Sequence, residues 1–251
     1  MTPAALHAEL ETDGFAVSPG LLDAEEVEAL TDCLDRLHEH RIPTTTQVLY
    51  THTEPAEPRP SFDRLMVQWL NPHLRTNAGN TAEVIAHVAQ RLAQLELDLV
   101  PFQDAFLVKT ADHAPFPWHQ DEPFWPFDAP TGLVAWCALD PVDRANGGLE
   151  LARGSHRYGR GPAIDLHTGD PQVSVTGALP DLAAFEHVCP ALSPGDAVLF
   201  RPRAWHRSER NASSARRRGW SSSWLPPGTR LRPELAPRHP LARGGRACAA
   251  P

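Results

Sequence analysis

Residues 132–157 read GLVAWCALDPVDRANGGLELARGSHR. The run at 132–139 is apolar and too short for a buried helix, so it reads as a strand buried on both faces. Asn146-Gly147-Gly148 is a turn signal, and the apolar stretch at 149–152 that follows it reads as a second strand. Two buried strands joined by an irregular polar connection point to a β-core rather than to a helical bundle.

The same pattern extends both ways along the chain. Residues 102–109 alternate as a strand does. Pro194-Gly195-Asp196 is a turn ahead of the apolar run 197–200, and 205–208 and 219–225 read as two further strands. The N-terminal part differs. Thr2-Pro3 starts a short helix that ends at Asp13-Gly14, and a first short strand follows at 15–17. Asp23 with Glu26 forms a capping box, followed by Val27, Leu30, Leu34 and Leu37 at the spacing of one buried helix face. Thr81 caps a third helix with the stripe Ile85, Val88, Leu92 and Leu95, and the proline- and threonine-rich stretch 41–62 reads as a long loop. Helices first and short strands after predict one α+β domain with a mainly β core, a sandwich or barrel, over residues 1–225. Residues 226–251, rich in Pro, Arg and Gly, read as a loosely held tail.

Composition narrows the function classes. The chain has 251 residues, 41 % apolar and 22 % charged, as expected of a folded protein; its 26 prolines are about twice the usual share and favour loops and short strands. A net charge of −8 argues against nucleic acid as a partner, although residues 201–251 carry 12 Arg against 2 acidic residues. These arginines read as partners for the acidic N-terminal part. No apolar run has the length of a membrane span and the N-terminus does not resemble a secretory signal. Cys33, Cys137, Cys189 and Cys248 form no CxxC pair, so a reducing, cytoplasmic setting is expected. Lys109 stands alone against 22 arginines, which reads as codon bias.

Among 13 histidines, one constellation carries chemistry. In Trp118-His119-Gln120-Asp121, residues two apart on a strand share a face, so His119 and Asp121 can offer a nitrogen and an oxygen to one cation. Alone this is weak, since His7-Ala-Glu9 and His52-Thr-Glu54 have the same spacing. A third ligand is available in Trp205-His206-Arg207-Ser208. Two histidines and a carboxylate on a β-scaffold make the facial triad of non-haem Fe(II) oxygenases. Eleven residues past His206 lies Arg217, within Arg216-Arg217-Arg218. A guanidinium there suits the far carboxylate of a keto-diacid, and strand alternation turns Arg217 opposite to its two neighbours.

With these residues in place, the chain resembles the phytanoyl-CoA dioxygenase family of Fe(II)/2-oxoglutarate oxygenases. The resemblance rests on ETDGFAVSPGLLDAEEVEAL, WHQDEPFW, AWCALDPVDRANGGLELARGSHR, LSPGDAVLFRPRAWHRS and RRRGWSSSW, in that order between about residues 8 and 225. It implies a double-stranded β-helix (jelly roll, cupin-like) with the N-terminal helices packed on one side. It implies His119, Asp121 and His206 as iron ligands and Arg217 with Ser208 on the far carboxylate of 2-oxoglutarate. It also implies Trp136 as an aromatic wall of that pocket and Gln103 as a polar contact near the co-substrate. Ordinary readings stand beside these: Trp136 as core, Ser208 satisfying a backbone group, Gln103 as a polar residue of the strand with no site role.

The implied reaction couples O2 and 2-oxoglutarate to oxidation of a C–H bond of a small or mid-sized metabolite, with hydroxylation the default and bacterial secondary metabolism a fitting setting. Asp121 argues against halogenation, since halogenating relatives carry a small residue there. The alternatives are a non-catalytic jelly-roll metal- or ligand-binding protein and a cupin-like metalloenzyme without 2-oxoglutarate. Substrate contacts are expected from 41–75, 123–130 and 156–190, which hold no readable motif.

Overall fold

The computed structural model describes residues 2–40, 48–51, 65–70, 81–111, 115–164, 180–236 and 239–243. Helix α1 (Pro3–Thr12) begins where the Thr2 hydroxyl accepts the Ala5 N–H at 3.3 Å. The chain then turns at Gly14, with φ of +84°, into strand β1 (Phe15–Ser18); a side chain at Gly14 would also strike the His156 ring. Helix α2 (Ala24–His40) opens on the expected capping box: Asp23 Oδ1 accepts the Glu26 N–H and Glu26 Oε2 accepts the Asp23 N–H, both at 2.9 Å. Leu30 and Leu34 of its stripe are buried and Val27 packs beside them; the side chain of Leu37 lies outside the described residues.

Strands β2 (Val48–Thr51) and β3 (Leu65–Leu70) pair antiparallel. The expected loop over 41–62 is therefore interrupted by a strand; the rest of that stretch lies outside the described residues. Four residues gain a ladder only from a distant partner, and local periodicity carries no sign of that pairing. In α3 (Thr81–Gln94) Thr81 is the first helical residue rather than the cap, and Ile85, Val88 and Leu92 are buried as expected.

Eight strands follow: β4 (Val100–Lys109), β5 (Phe116–His119), β6 (Leu133–Ala138), β7 (Leu149–Ala152), β8 (His187–Val188), β9 (Ala197–Phe200), β10 (His206–Ser208) and β11 (Arg217–Leu225). They form a large sheet ordered β1-β9-β6-β11-β4-β3-β2 and a small one ordered β5-β10-β7-β8, antiparallel throughout. Alternation assigns each face of the large sheet. Leu133, Ala135, Cys137, Leu199, Trp220 and Trp224 pack against Leu6, Leu10, Leu30, Val88 and Leu92 of the helices. Val134, Trp136, Val198 and Phe200 turn the other way and cluster with Leu149 and Leu151 of the small sheet. This is the double-stranded β-helix, with the helices on its outer side and the space between the sheets as its interior.

The C-terminal segment departs from expectation. A tail so rich in proline and glycine reads as loosely held, yet the Arg232 N–H donates to Pro126 O at 2.7 Å, and Arg160 donates to Phe127 O, Trp125 O and Leu235 O. His239 and Leu241 are buried, Leu241 within the inner cluster. Burial of two side chains and backbone bonding to the 125–127 segment outweigh a composition that offers no periodicity. The C-terminal arginines pair with acids as expected: Arg216 with Asp35, Arg218 with Asp140 and Asp35, Arg207 with Glu150. Among the described residues no disulfide links Cys33, Cys137 and Cys189, and no helix is long and apolar enough to cross a membrane.

Candidate metal centre and co-substrate pocket

Strands β5 and β10 pair directly, with His119 opposite His206 in register. Their imidazoles lie 4.1 Å apart, centroid to centroid. Asp121 is not on the strand. β5 ends at His119, and Asp121 has φ −79° and ψ −38° at the start of the short 3-10 turn Glu122–Phe124. The expectation that one strand face presents both residues is thus corrected: a turn brings the carboxylate back beneath the imidazoles. Asp121 Oδ1 lies 3.9 Å from His119 Nε2 and 3.7 Å from His206 Nε2, and the donor atoms of all three residues lie within 4.8 Å of one another.

That turn is held by residues whose role the sequence did not disclose. The N–H groups of Asp121 and Glu122 both donate to Pro202 O, on the loop leading into β10. Buried Glu122 pairs with Arg203 and accepts the Ala129 N–H at 2.8 Å. Buried Gln120 donates to Gly159 O at 2.9 Å and to Arg203 O, and accepts the Gly161 N–H. The signal available was a run of polar residues between aromatic ones, which has no readable partner in one dimension.

Electrostatics prepare the triad for a cation. His119 Nδ1 faces Pro117 O at 2.8 Å and His206 Nδ1 faces Ala204 O at 3.0 Å. A carbonyl only accepts, so each Nδ1 carries the proton and each Nε2 presents a lone pair toward Asp121. Burial lowers both imidazoles to about 4, aided at His119 by the neighbouring His206 and opposed by Asp121; both are neutral at pH 7. Burial raises the Asp121 carboxyl, against the pull of His119. Two neutral imidazoles and one carboxylate, with side chains offered from one side only, are a donor set suited to Fe(II).

The other sequence-singled residues lie on the inner face of the large sheet. Arg217 is 3 % exposed; its guanidinium donates to Gly147 O at 2.8 Å and lies 5.1 Å over the Trp136 ring, while Nε has no partner. Burial lowers it to about 10, so it remains a cation at neutral pH, and among the described residues no carboxylate pairs with it. Arg216 and Arg218 point away to Asp35 and Asp140, as alternation requires. Ser208, buried two residues past His206, has no side-chain hydrogen bond among the described residues. Trp136 fits beneath Arg217 because Gly219, two positions along β11 from its partner Ser221, has no side chain: a Cβ there would stand 2.5 Å from Trp136 Cζ2. Gly219→Ala is expected to displace Trp136, lowering thermal stability and raising the KM for 2-oxoglutarate together. Unchanged values of both would show that the close approach is dispensable.

Lys109, expected to reflect codon usage alone, lies beside Arg217. It pairs in register with Arg217, is buried, and donates to the Ser208 and Glu209 carbonyls. Burial and the nearby Arg217 lower it to about 7, opposed by Glu209. The available signal was the retention of a lysine in a chain that otherwise uses arginine. Gln103 shares this inner face but lies six positions along β4, roughly 20 Å at ~3.3 Å per residue. It therefore sits at the far end of the interior from Arg217. Of the aromatic residues near the first ligand, Trp125 and Phe127 pack with Phe102 in the inner cluster, and Trp118 stacks on His187 under Arg207. Most of the stretches expected to contact substrate (41–47, 52–64, 71–75 and 165–179) lie outside the described residues.

Two facing antiparallel sheets with a two-histidine, one-carboxylate cluster between them define the jelly-roll class of iron- and 2-oxoglutarate-dependent oxygenases. A profile of the phytanoyl-CoA dioxygenase (PhyH) family matches residues 10–219, and the chain belongs to that family. Its cofactor is iron and its co-substrates are 2-oxoglutarate and O2. Solved structures share the fold. The epimerase SnoN from nogalamycin biosynthesis is 22 % identical with a TM-score of 0.68, over 92 % of this chain and 85 % of its own. EctD from S. alaskensis is 22 % identical with a TM-score of 0.68, over 95 % and 83 %. AviO1 from Streptomyces viridochromogenes Tue57 is 21 % identical with a TM-score of 0.66, over 92 % and 98 %. No curated protein matches the sequence.

Proposed function

We propose that the protein oxidises an unactivated C–H bond of a small or mid-sized metabolite, by hydroxylation, in a biosynthetic setting. The observation that carries this reading is the buried Arg217, which no carboxylate of the described residues meets, inside the same barrel as the His119–Asp121–His206 cluster. A metal scaffold alone has no use for an unpaired buried guanidinium, whereas a keto-diacid chelating the metal leaves one carboxylate to be met. The residues present fit both groups. His119, Asp121 and His206 would hold the iron. Arg217 and Ser208 would take the far carboxylate of 2-oxoglutarate, with Trp136 as the wall beneath.

Bound iron and 2-oxoglutarate supply O2 activation coupled to decarboxylation to succinate, which drives C–H cleavage. The chain's own residues bind and orient. The Pro117 and Ala204 carbonyls fix the imidazole tautomers, Gln120 and Glu122 hold the turn that carries Asp121, and the apolar inner cluster excludes water. Lys109 adds positive charge beside Arg217 and ties the backbone that carries Ser208.

Hydroxylation is tested by mass spectrometry of the product formed under 18O2. Incorporation of one labelled oxygen per succinate released supports it. Product with no added oxygen assigns the site to desaturation, epimerisation or ring closure, the last two being chemistries named for the structural neighbours SnoN and SnoK.

Lys109 gives this reading a pH signature. Its folded value of about 7 lies below the ordinary lysine value, so folding releases a proton, and its contribution to stability rises with pH between about 7 and 10.5. A bound dianion favours the charged ammonium, so 2-oxoglutarate binding takes up a proton and weakens as pH rises above about 7. Titrations of 2-oxoglutarate from pH 6.5 to 9 are expected to show this fall in wild type and to lose it in Lys109→Met. An equal slope in both proteins would remove Lys109 from the pocket.

A further inference from the structure

The end of the barrel interior away from Arg217 holds a polar group of residues with no assigned role. Gln103 is 7 % exposed and pairs in register with Ser223, itself 5 % exposed. Ser221 lies two positions nearer Arg217 on the same inner face, opposite Trp136. Ser222, between them, points to the helices and takes the Trp224 indole N–H at 2.9 Å. Among the described residues neither Ser221 nor Ser223 has a side-chain hydrogen bond, and Gln103 has one, to His239 at 3.4 Å.

That bond fixes how Gln103 presents itself. The Leu241 N–H donates to His239 Nδ1 at 3.2 Å. Nδ1 is therefore the acceptor and Nε2 carries the proton. Burial lowers His239 to about 4, so the ring is neutral at pH 7 and no second proton alters this. Nε2–H faces Gln103 and requires an oxygen there, so the carboxamide oxygen is committed to His239. Among the described residues the NH2 end, with two donors, has no partner. His239 itself is 3 % exposed, its ring 5.6 Å from Phe102, and it is seated by the same C-terminal segment that buries Leu241. An amide donor that faces the interior without a protein partner favours a bound acceptor oxygen.

We propose that His239 is a positioning residue that aims the Gln103 NH2 group at an acceptor oxygen of the organic substrate, and that Gln103, Ser221 and Ser223 select a compact polar substrate over an acyl chain. The proposal rests on the oxygenase reading above and deepens it. Arg217 and Gln103 lie too far apart along the sheet for the far carboxylate of 2-oxoglutarate to engage both, and the KM values of the two substrates separate a contact to the organic substrate from one to the metal-chelating end of 2-oxoglutarate.

The test uses the full chain with Fe(II) and 2-oxoglutarate. Succinate release is measured with a panel of amino acids, hydroxy acids and hexoses, and with decanoyl-CoA as the acyl probe. Polar members are expected to stimulate release and the thioester is not. For the best member, Gln103→Leu and His239→Phe are each expected to raise KM about tenfold, while the KM for 2-oxoglutarate moves less than about twofold. The double variant is expected to be no worse than either single one, and His239→Gln, which keeps a donor, to recover most of the loss. Stimulation by decanoyl-CoA alone, no stimulation by any polar member, or a parallel rise in both KM values would overturn the proposal.

Positioning is read independently by 15N histidine spectra of the Zn(II)-loaded protein. One buried ring protonated at Nε2, shifted by Gln103→Leu, is expected; an Nδ1–H tautomer for His239 would refute it. An iron–2-oxoglutarate absorption band in wild type separates the two failures. If the band forms and these variants have no effect, this inference falls alone; if it does not form, the oxygenase reading falls.

Discussion

Replacing His206 with alanine is expected to abolish 2-oxoglutarate turnover while leaving the fold in place. His206 supplies one of three donor atoms gathered within 4.8 Å, and its Nδ1–H is already committed to Ala204 O. Removing a residue that merely supports a metal ligand costs roughly 10–100-fold, so removing a ligand should exceed this range. The remaining imidazole and carboxylate cannot restore the face, because Asp121 reaches it only from its turn and His119 only from the end of β5. The check is succinate release at saturating iron, with far-ultraviolet circular dichroism for the fold. Turnover within about tenfold of wild type in a folded His206→Ala protein would remove His206 from the metal centre. His119→Ala and Asp121→Ala are expected to behave alike.

The second large effect belongs to Arg217. Truncating one partner of a buried, hydrogen-bonded charge pair costs about 2–5 kcal/mol, so Arg217→Met is expected to weaken 2-oxoglutarate binding by roughly 30-fold or more. The protein without co-substrate should respond in the opposite direction. There Arg217 is a buried cation whose Nε is unsatisfied and whose charge no carboxylate of the described residues meets in contact, and an apolar side chain of similar length removes that desolvation cost. Arg217→Met is thus expected to hold or raise the melting temperature without 2-oxoglutarate and to lose most of the rise that 2-oxoglutarate produces in wild type. A structural arginine would give the reverse: a lower melting temperature and an unchanged response to the co-substrate.

Much of this was legible in one dimension, for reasons tied to particular residues. The apolar runs at 132–139 and 197–200 read as strands because both faces of β6 and β9 are buried, one by helices and one by the small sheet. The capping box of α2 is local, so Asp23 and Glu26 announced themselves. Arg217 could be separated from Arg216 and Arg218 because alternation along β11 is strict. What stayed hidden depends on distant partners. Strand β2 gains its ladder only from β3. Asp121 joins His119 in the candidate metal site through a turn anchored on Pro202 O, not through strand periodicity. Lys109 matters because β4 pairs with β11 and sets it beside Arg217. His239 sits in a stretch whose composition reads as unstructured, and its burial follows from contact with Phe102 and Gln103 more than a hundred residues earlier.

The central claim is that this barrel binds iron and 2-oxoglutarate together, through His119, Asp121 and His206 on one side and Arg217 on the other. The most direct measurement is anaerobic. Fe(II) is titrated into the metal-free protein in the presence of 2-oxoglutarate, and the visible charge-transfer absorption of an iron–ketoacid chelate is recorded. A saturable band that is absent in His206→Ala and needs far more 2-oxoglutarate in Arg217→Met is the result expected. A folded protein that binds the metal and shows no such band would contradict the account and make the barrel a metal-binding scaffold.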